Sequence, residues 1–222
     1  MKAMHIDDVL DRAHVVSLPL AVRFRGITTR EALLIEGPAG WGEFAPFLEY
    51  GPAESAAWLR AGLEAAYEGF PEPVRDSIEV NATIPAVPAS EVPAVVERYP
   101  GCRTFKIKVA EKGHTLADDA ARVRAVRDAV TQRGDIPILR VDANGGWTVD
   151  EAVEAAQMMM PLDYMEQPCA TTEELAQVRG RLMRAGLFVR VAADESIRKV
   201  ADPYRVAELQ ACLLYTSPSP RD

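Results

Sequence analysis

The sequence predicts an α/β protein: an incomplete TIM-type (β/α) barrel preceded by a small α+β domain. Three observations carry this. Over residues 76–211, strand-like runs alternate with helix-like runs, the rhythm of parallel strands joined by right-handed crossovers. None of those strands leads into GxGxxG or GxxxxGKS/T, so a nucleotide-binding doubly wound sheet has no positive support. Residues 1–75 break the rhythm and are set off by the linker PEPVRDS.

Within residues 1–75, HVVSLPLAVRF and EALLIEGP alternate apolar with other residues, as strands do, and RGITTR joins them. PAGWGEFAP holds the glycines and prolines of tight turns. ESAAWLRAGLEAAYEGF spaces Ala57, Leu59, Leu63, Ala66, Tyr67 and Phe70 at helical intervals. After the linker, SIEVNATI, TFKIKV, PILRVDAN, LDYMEQP and LFVRVAADES read as strands. SEVPAVVERY, LADDAARVRAVRDAVTQRG, TVDEAVEAAQMMM, TTEELAQVRGRLMRAG and DPYRVAELQ read as the helices that follow them. The second helix ends on glycine. The third opens on a threonine cap with an acidic first turn. About five strand–helix units are present, where a closed barrel has eight.

The last residues, CLLYTSPSPRD, resemble a translated sequencing adapter, so residues 212–222 are expected to be a non-native tail. On that expectation the native barrel pattern is interrupted near residue 211. The open sheet edge would then leave the chain as written inactive and poorly soluble.

Composition narrows the function. The 222 residues are 48% hydrophobic and 26% charged, the balance of a globular protein with a sizeable core. A net charge of −8 argues against nucleic acid as a partner, because phosphate binding needs a basic face. No apolar run reaches the length of a membrane span, so no membrane role is expected. MKAMHIDDVLDR turns acidic where a signal peptide would turn apolar, and a cytoplasmic location is expected. Cys102, Cys169 and Cys212 form no CxxC, and His5, His14 and His114 show no metal-ligand spacing.

Three strands end in acids: Asp142 closes ILRVD, Glu166 closes YMEQP, and Asp194 closes VRVAADE, each about one βα unit from the next. A barrel would gather them at its C-terminal rim, where such folds place their chemistry. Converging carboxylates repel unless a cation joins them, and oxygen-only donors favour a hard ion such as Mg2+. One unit earlier, Lys106 and Lys108 alternate around Ile107 and therefore share a face. On an edge strand such lysines deter aggregation. Inside a barrel near a dication, Lys108 would lose its proton more readily and could serve as a base.

KIK, VDANGGW, MEQP and AADES, in this order and spacing, resemble the enolase superfamily, in its muconate-lactonizing-enzyme-like branch. The likeness spans residues 1–211. Within the branch, FRGITTREALLIEG and GWGEFAPFLEYGPAES are similar to the o-succinylbenzoate synthase group of actinobacteria. The resemblance implies that the α+β unit is a capping domain and that Mg2+ is the cofactor. It implies Lys108 as the acid/base lysine with Lys106 as its partner, Asp142, Glu166 and Asp194 as metal ligands, and Asn144 beside the metal. Loops around residues 23–26, including Arg25 and Gly26, and 47–51 would touch a small-molecule carboxylate substrate. The implied reaction dehydrates 2-succinyl-6-hydroxy-2,4-cyclohexadiene-1-carboxylate through an enediolate, in menaquinone synthesis; a lysine base with Mg2+ and an enediolate is general to this superfamily. N-succinylamino acid racemisation, dipeptide epimerisation and muconate cycloisomerisation share these residues. An inactive metal-binding fragment or scaffold is the alternative of another class. The resemblance also implies a second lysine on the next strand, facing Lys108, which this sequence lacks.

Overall fold

A computed structural model describes residues 5–24, 27–199, 201–212 and 214–215. They fall in two compact units, Met1–Ser77 and Ile78–Asp222. Among the described residues no helix is long and apolar enough to cross a membrane.

The first unit opens with a short helix, α1 (Ile6–Leu10), followed by strands β1 (Ala13–Phe24) and β2 (Ile27–Gly37). These pair antiparallel from Ala13↔Ile35 to Pro19↔Thr29, with an irregularity before Phe24↔Ile27. Pro19 is tolerated because β1 is an edge strand. The second strand starts earlier than EALLIEGP suggests, since β-branched Ile27, Thr28 and Thr29 extend the ladder. PAGWGEFAP is more than turns: Gly40–Phe44 forms β3, paired with β2 from Leu33↔Phe44 to Gly37↔Gly40. Its glycine content hid the strand.

Helix α2 (Pro52–Tyr67) starts with proline in its first turn, where no N–H partner is needed. Its apolar side gives Leu59, Leu63, Ala66 and Tyr67 to a core that includes Val9, Leu33 and Ile35. Gly62 lets the helix approach the sheet backbone: a Cβ there would lie 2.6 Å from the Glu43 carbonyl oxygen. Gly62→Val is therefore expected to destabilise this unit by about 3 kcal/mol through overpacking. A denaturant midpoint equal to wild type would overturn the close-approach account.

The second unit runs through β4 (Ala82–Ile84), a 3-10 turn leading into α3 (Val92–Val96), β5 (Thr104–Lys108), α4 (Leu116–Gln132) and β6 (Ile138–Asp142). It continues through α5 (Val149–Met159), β7 (Tyr164–Glu166), α6 (Thr172–Arg184), β8 (Arg190–Ala193), α7 (Asp202–Glu208) and β9 (Leu214–Tyr215). The six strands form one parallel sheet in sequential order, with β4 and β9 at its ends. Several expectations need correction: LDYMEQP narrows to Tyr164–Glu166 and LFVRVAADES to Arg190–Ala193, the spans that pair with their neighbours. The strand read as SIEVNATI narrows to Ala82–Ile84, because β5 opens only at Thr104 and offers earlier residues no ladder; Ile78 and Val80 are exposed. The sheet also has a sixth strand beyond the five expected, since Leu214 and Tyr215 pair with Ala192 and Ala193.

Period-two alternation sorts the sheet into two faces. Phe105, Ile107, Leu139, Val141, Met165 and Val191 are all buried, in one core with Val123 and Val126 of α4, Ala152 of α5 and Leu175 of α6. The opposite face carries Lys106, Lys108, Arg140, Asp142, Tyr164 and Glu166 in matched rows. A polar row on the face away from the covering helices is where a barrel would place its interior. Helices α4, α5 and α6 each begin with a full capping box, Thr115–Asp118, Thr148–Glu151 and Thr171–Glu174. Each box fixes the loop that follows a polar-rowed strand.

Candidate active site

Parallel pairing sets Lys108 beside Asp142 and Asp142 beside Glu166. On β8 the same row is held by Ala192, and Asp194 stands two residues further on, just past the strand end. The three acids are thus on one face but not on one level.

The lysines grip this row. The Lys106 ammonium donates to Glu166 Oε1 at 2.8 Å and lies 3.3 Å from Asp142 Oδ2. The Lys108 ammonium donates to Asp142 Oδ2 and, at 2.9 Å, to Asn144 Oδ1. Asn144 has positive φ, a conformation asparagine accepts more readily than most residues. Its backbone N–H donates to Asp142 Oδ1 at 3.1 Å, and its side-chain amide donates to Glu195 Oε1 at 3.1 Å. Glu195 also accepts from Arg198 at 2.9 Å. Glu195 went unread in the sequence because only folding turns it toward Asn144.

Burial raises the Glu166 carboxyl above its usual range, with the charge of Asp142 adding to it and Lys106 working against it. For Lys106, burial opposes the charge, but Glu166 and then Asp142 outweigh it and hold the ammonium above the ordinary lysine value. The Asp194 carboxyl is pushed up to about 6, first by burial and then by the charges of Glu195, Glu166 and Asp142. Among the described residues, Glu166 Oε2 and Glu195 Oε2 are buried without a hydrogen-bond partner.

Among the described residues no three acid, histidine or cysteine side chains are arranged to hold a metal ion. The two ammonium groups take up Glu166 Oε1 and Asp142 Oδ2 instead. The donor set nevertheless fits Mg2+: it is all carboxylate oxygen, one buried oxygen lacks a partner among the described residues, and two carboxyls are raised by burial and then by neighbouring negative charge. Asp142, Glu166 and Asp194 would hold the ion.

The raised Asp194 predicts how stability depends on pH. Between the ordinary aspartate value and about 6, the native chain binds more protons than the unfolded one, so stability falls as pH rises and stays lowered above 6. In metal-free protein, Asp194→Asn is expected to raise Tm at pH 7.5 and leave it unchanged at pH 3.5. An equal effect at both values would contradict this account.

A buried ion pair supports the strand end that carries Lys108. Arg122 on α4 is 1% exposed and donates to the carbonyls of Lys108 (3.0 Å) and Val87 (2.6 Å) and to Asp119 (2.6 Å). Asp119 accepts in turn from the Ala110 backbone N–H at 2.8 Å. The end of β5 is thereby fixed on both sides of Val109.

In the first unit, the expected loop over residues 47–51 packs Phe47 edge-on to Tyr50 and Trp58, with Arg30 stacked 5.1 Å from the Phe47 ring centre. A pocket of about 290 Å³ is lined by Leu20, Ile27, Arg30 and Phe47. Arg25 and Gly26 lie outside the described residues.

Comparison with known proteins agrees with this architecture. Residues 15–66 match the family described as enolase N-terminal domain-like, and residues 89–216 match the enolase C-terminal domain-like family. The chain is 58% identical over 209 residues to o-succinylbenzoate synthase of Mycolicibacterium smegmatis, covering 93% of this chain and 62% of that protein. It is 56% identical to o-succinylbenzoate synthase of Mycobacterium leprae, covering 93% of this chain and 59% of that one. It therefore spans about three-fifths of the length of these curated relatives. Among solved structures, the L-Ala-D/L-Glu epimerase of Bacillus subtilis superposes with a TM-score of 0.69 at 24% identity, covering 92% of this chain and 72% of that one. An o-succinylbenzoate synthase of Thermosynechococcus elongatus with Mg in its active site gives 0.64 at 18% identity, covering 93% and 75%. These two likenesses concern the fold.

Proposed function

Because the chain belongs to the enolase superfamily, in its muconate-lactonizing-enzyme-like branch, we propose that it is the capping domain and first barrel strands of an o-succinylbenzoate synthase. The observation that carries the chemistry is the row in which Lys108, Asp142 and Glu166 stand side by side, with Lys106 two residues deeper. The curated relatives' names support the choice of substrate.

Mg2+, when bound by Asp142, Glu166 and Asp194, supplies a Lewis acid that a substrate carboxylate can use. Asp142 and Asn144 hold Lys108 Nζ at the rim, where it can face the carbon next to that carboxylate. As the free amine, Lys108 takes the proton from this carbon. Returned to the departing hydroxyl, the proton leaves as water, and the ring gains its third double bond. Aromatisation drives the step. Lys106 keeps its charge on Glu166 and Asp142, which sets the field beside the base.

Residues 212–222 belong to this proposal as a non-native tail, although two of them, Leu214 and Tyr215, pair with β8 as β9 and the family match reaches residue 216. No lysine follows Lys199 in the sequence, and β9 carries none. The genomic reading frame after residue 211 is expected to encode a strand bearing the lysine that faces Lys108. A frame that continues as LLYTSPSPRD overturns this. A soluble lyase acting on a small carboxylic acid fits the cytoplasm.

The test is an assay of the full-length enzyme on 2-succinyl-6-hydroxy-2,4-cyclohexadiene-1-carboxylate, with and without Mg2+. Mg2+-dependent formation of o-succinylbenzoate is expected. Racemisation of N-succinylamino acids without dehydration would overturn the substrate assignment.

A further inference from the structure

Gln167 follows Glu166 directly and is fully buried, yet its backbone sits at φ +37, in the left-handed region. A glutamine there is strained and persists only where its surroundings hold it. Its side chain shows what does so. Gln167 Oε1 accepts from the backbone N–H groups of Asp194 (3.0 Å) and Ser196 (3.1 Å). Its Nε2 donates to the Cys169 carbonyl (3.0 Å) and to Ser196 Oγ (2.7 Å). Both lone pairs and both amide hydrogens are used, the full capacity of the group.

The backbone of the same residue reaches the other two strand ends. Its N–H donates to the Ala192 carbonyl at 2.8 Å, and its carbonyl accepts from Gly145 N–H at 2.7 Å. Gly145 lies in the loop after Asp142, at φ +76, where a Cβ would come 3.1 Å from Ala170 Cα. One residue therefore bonds the Asp142 loop and the Asp194 loop, and is covalently joined to Glu166. We infer that Gln167 is a positioning residue that ties the three carboxylate-bearing strand ends together and so sets the Mg2+ affinity of the site. This rests on the metal assignment proposed above. Gln167 touches no reacting atom; it acts through the backbone that aims Asp194. That role also explains why Asp194 can stand past the end of its strand, where no ladder bond fixes it.

The experiment uses the full-length enzyme, with Mg2+ binding followed by calorimetry and backbone hydrogen exchange followed without metal. Gln167→Met keeps the shape and removes all four side-chain bonds. It is expected to weaken Mg2+ binding about 10–100-fold and to speed exchange at the Asp194 and Ser196 amides. At saturating Mg2+, kcat should recover most of its loss. A folded Gln167→Met protein with wild-type Mg2+ affinity and exchange overturns the inference. Should that variant fail to fold, Ser196→Ala decides: it removes one of the four bonds and is expected to weaken Mg2+ about 2–10-fold, and unchanged affinity and exchange would overturn the inference. Wild-type enzyme that itself binds no Mg2+ overturns the metal assignment, and the inference with it, a failure seen before any variant is made.

Discussion

Lys108→Ala in the full-length enzyme is expected to lower kcat about a thousandfold, the scale of losing a positioned acid/base group. Mg2+ affinity should stay the same or tighten, because the ammonium that shares Asp142 Oδ2 is gone. Lys108→Arg separates charge from basicity. It keeps a cation beside Asp142 and Asn144, but a guanidinium stays protonated and cannot take a proton. It should be as inactive as the alanine variant. Substantial turnover in Lys108→Arg would mean that this position only sets the field and that the base lies elsewhere.

Glu166→Gln is expected to weaken Mg2+ binding about a hundredfold or more, since even residues behind the ligands cost 10–100-fold. The metal-free fold should respond differently. Glu166 is buried, its Oε2 has no partner among the described residues, and burial with the nearby Asp142 charge raises its carboxyl. A raised folded value means the native state is destabilised as pH climbs through the carboxylate range and above it. The glutamine removes that loss while still offering Lys106 an acceptor. Thermal denaturation with a chelator at pH 8 should therefore show a Tm equal to or above wild type, alongside the lost affinity. Wild-type Mg2+ binding would remove Glu166 from the ligand set. A fall in Tm would show that the Lys106–Glu166 pair holds the metal-free fold together.

Much of the barrel unit was legible because its signals are local. The apolar outer face and the punctuated βα rhythm need no knowledge of neighbours. TFKIKV is almost all β5, because its β-branched and apolar alternation is local, whereas PILRVDAN narrows to Ile138–Asp142 and LDYMEQP to Tyr164–Glu166. The errors fell where partners decide. Ile78 and Val80 look like strand residues but find no ladder. Gly40 and Gly42 look like turn residues but are carried by pairing with Gly37 and Ile35. A warning was also present in α4. Asp119 and Arg122 lie on the same stripe as Val123, Val126 and Val130, and a charged pair on an apolar stripe implies a buried network.

By itself the sequence determined the two-part organisation, the shared face of Lys106 and Lys108, and the placement of Asp142, Glu166 and Asp194 near strand ends. Period two and turn chemistry suffice for all of these. Only the tertiary structure decided register and contact. It put Lys108, Asp142 and Glu166 in one row, offset Asp194 by two residues, and brought Gln167 to Asp194 and Ser196 across the sheet. The physical reason is that periodicity says which face a side chain takes, whereas parallel register is set by long-range hydrogen bonds and core packing between segments far apart in sequence.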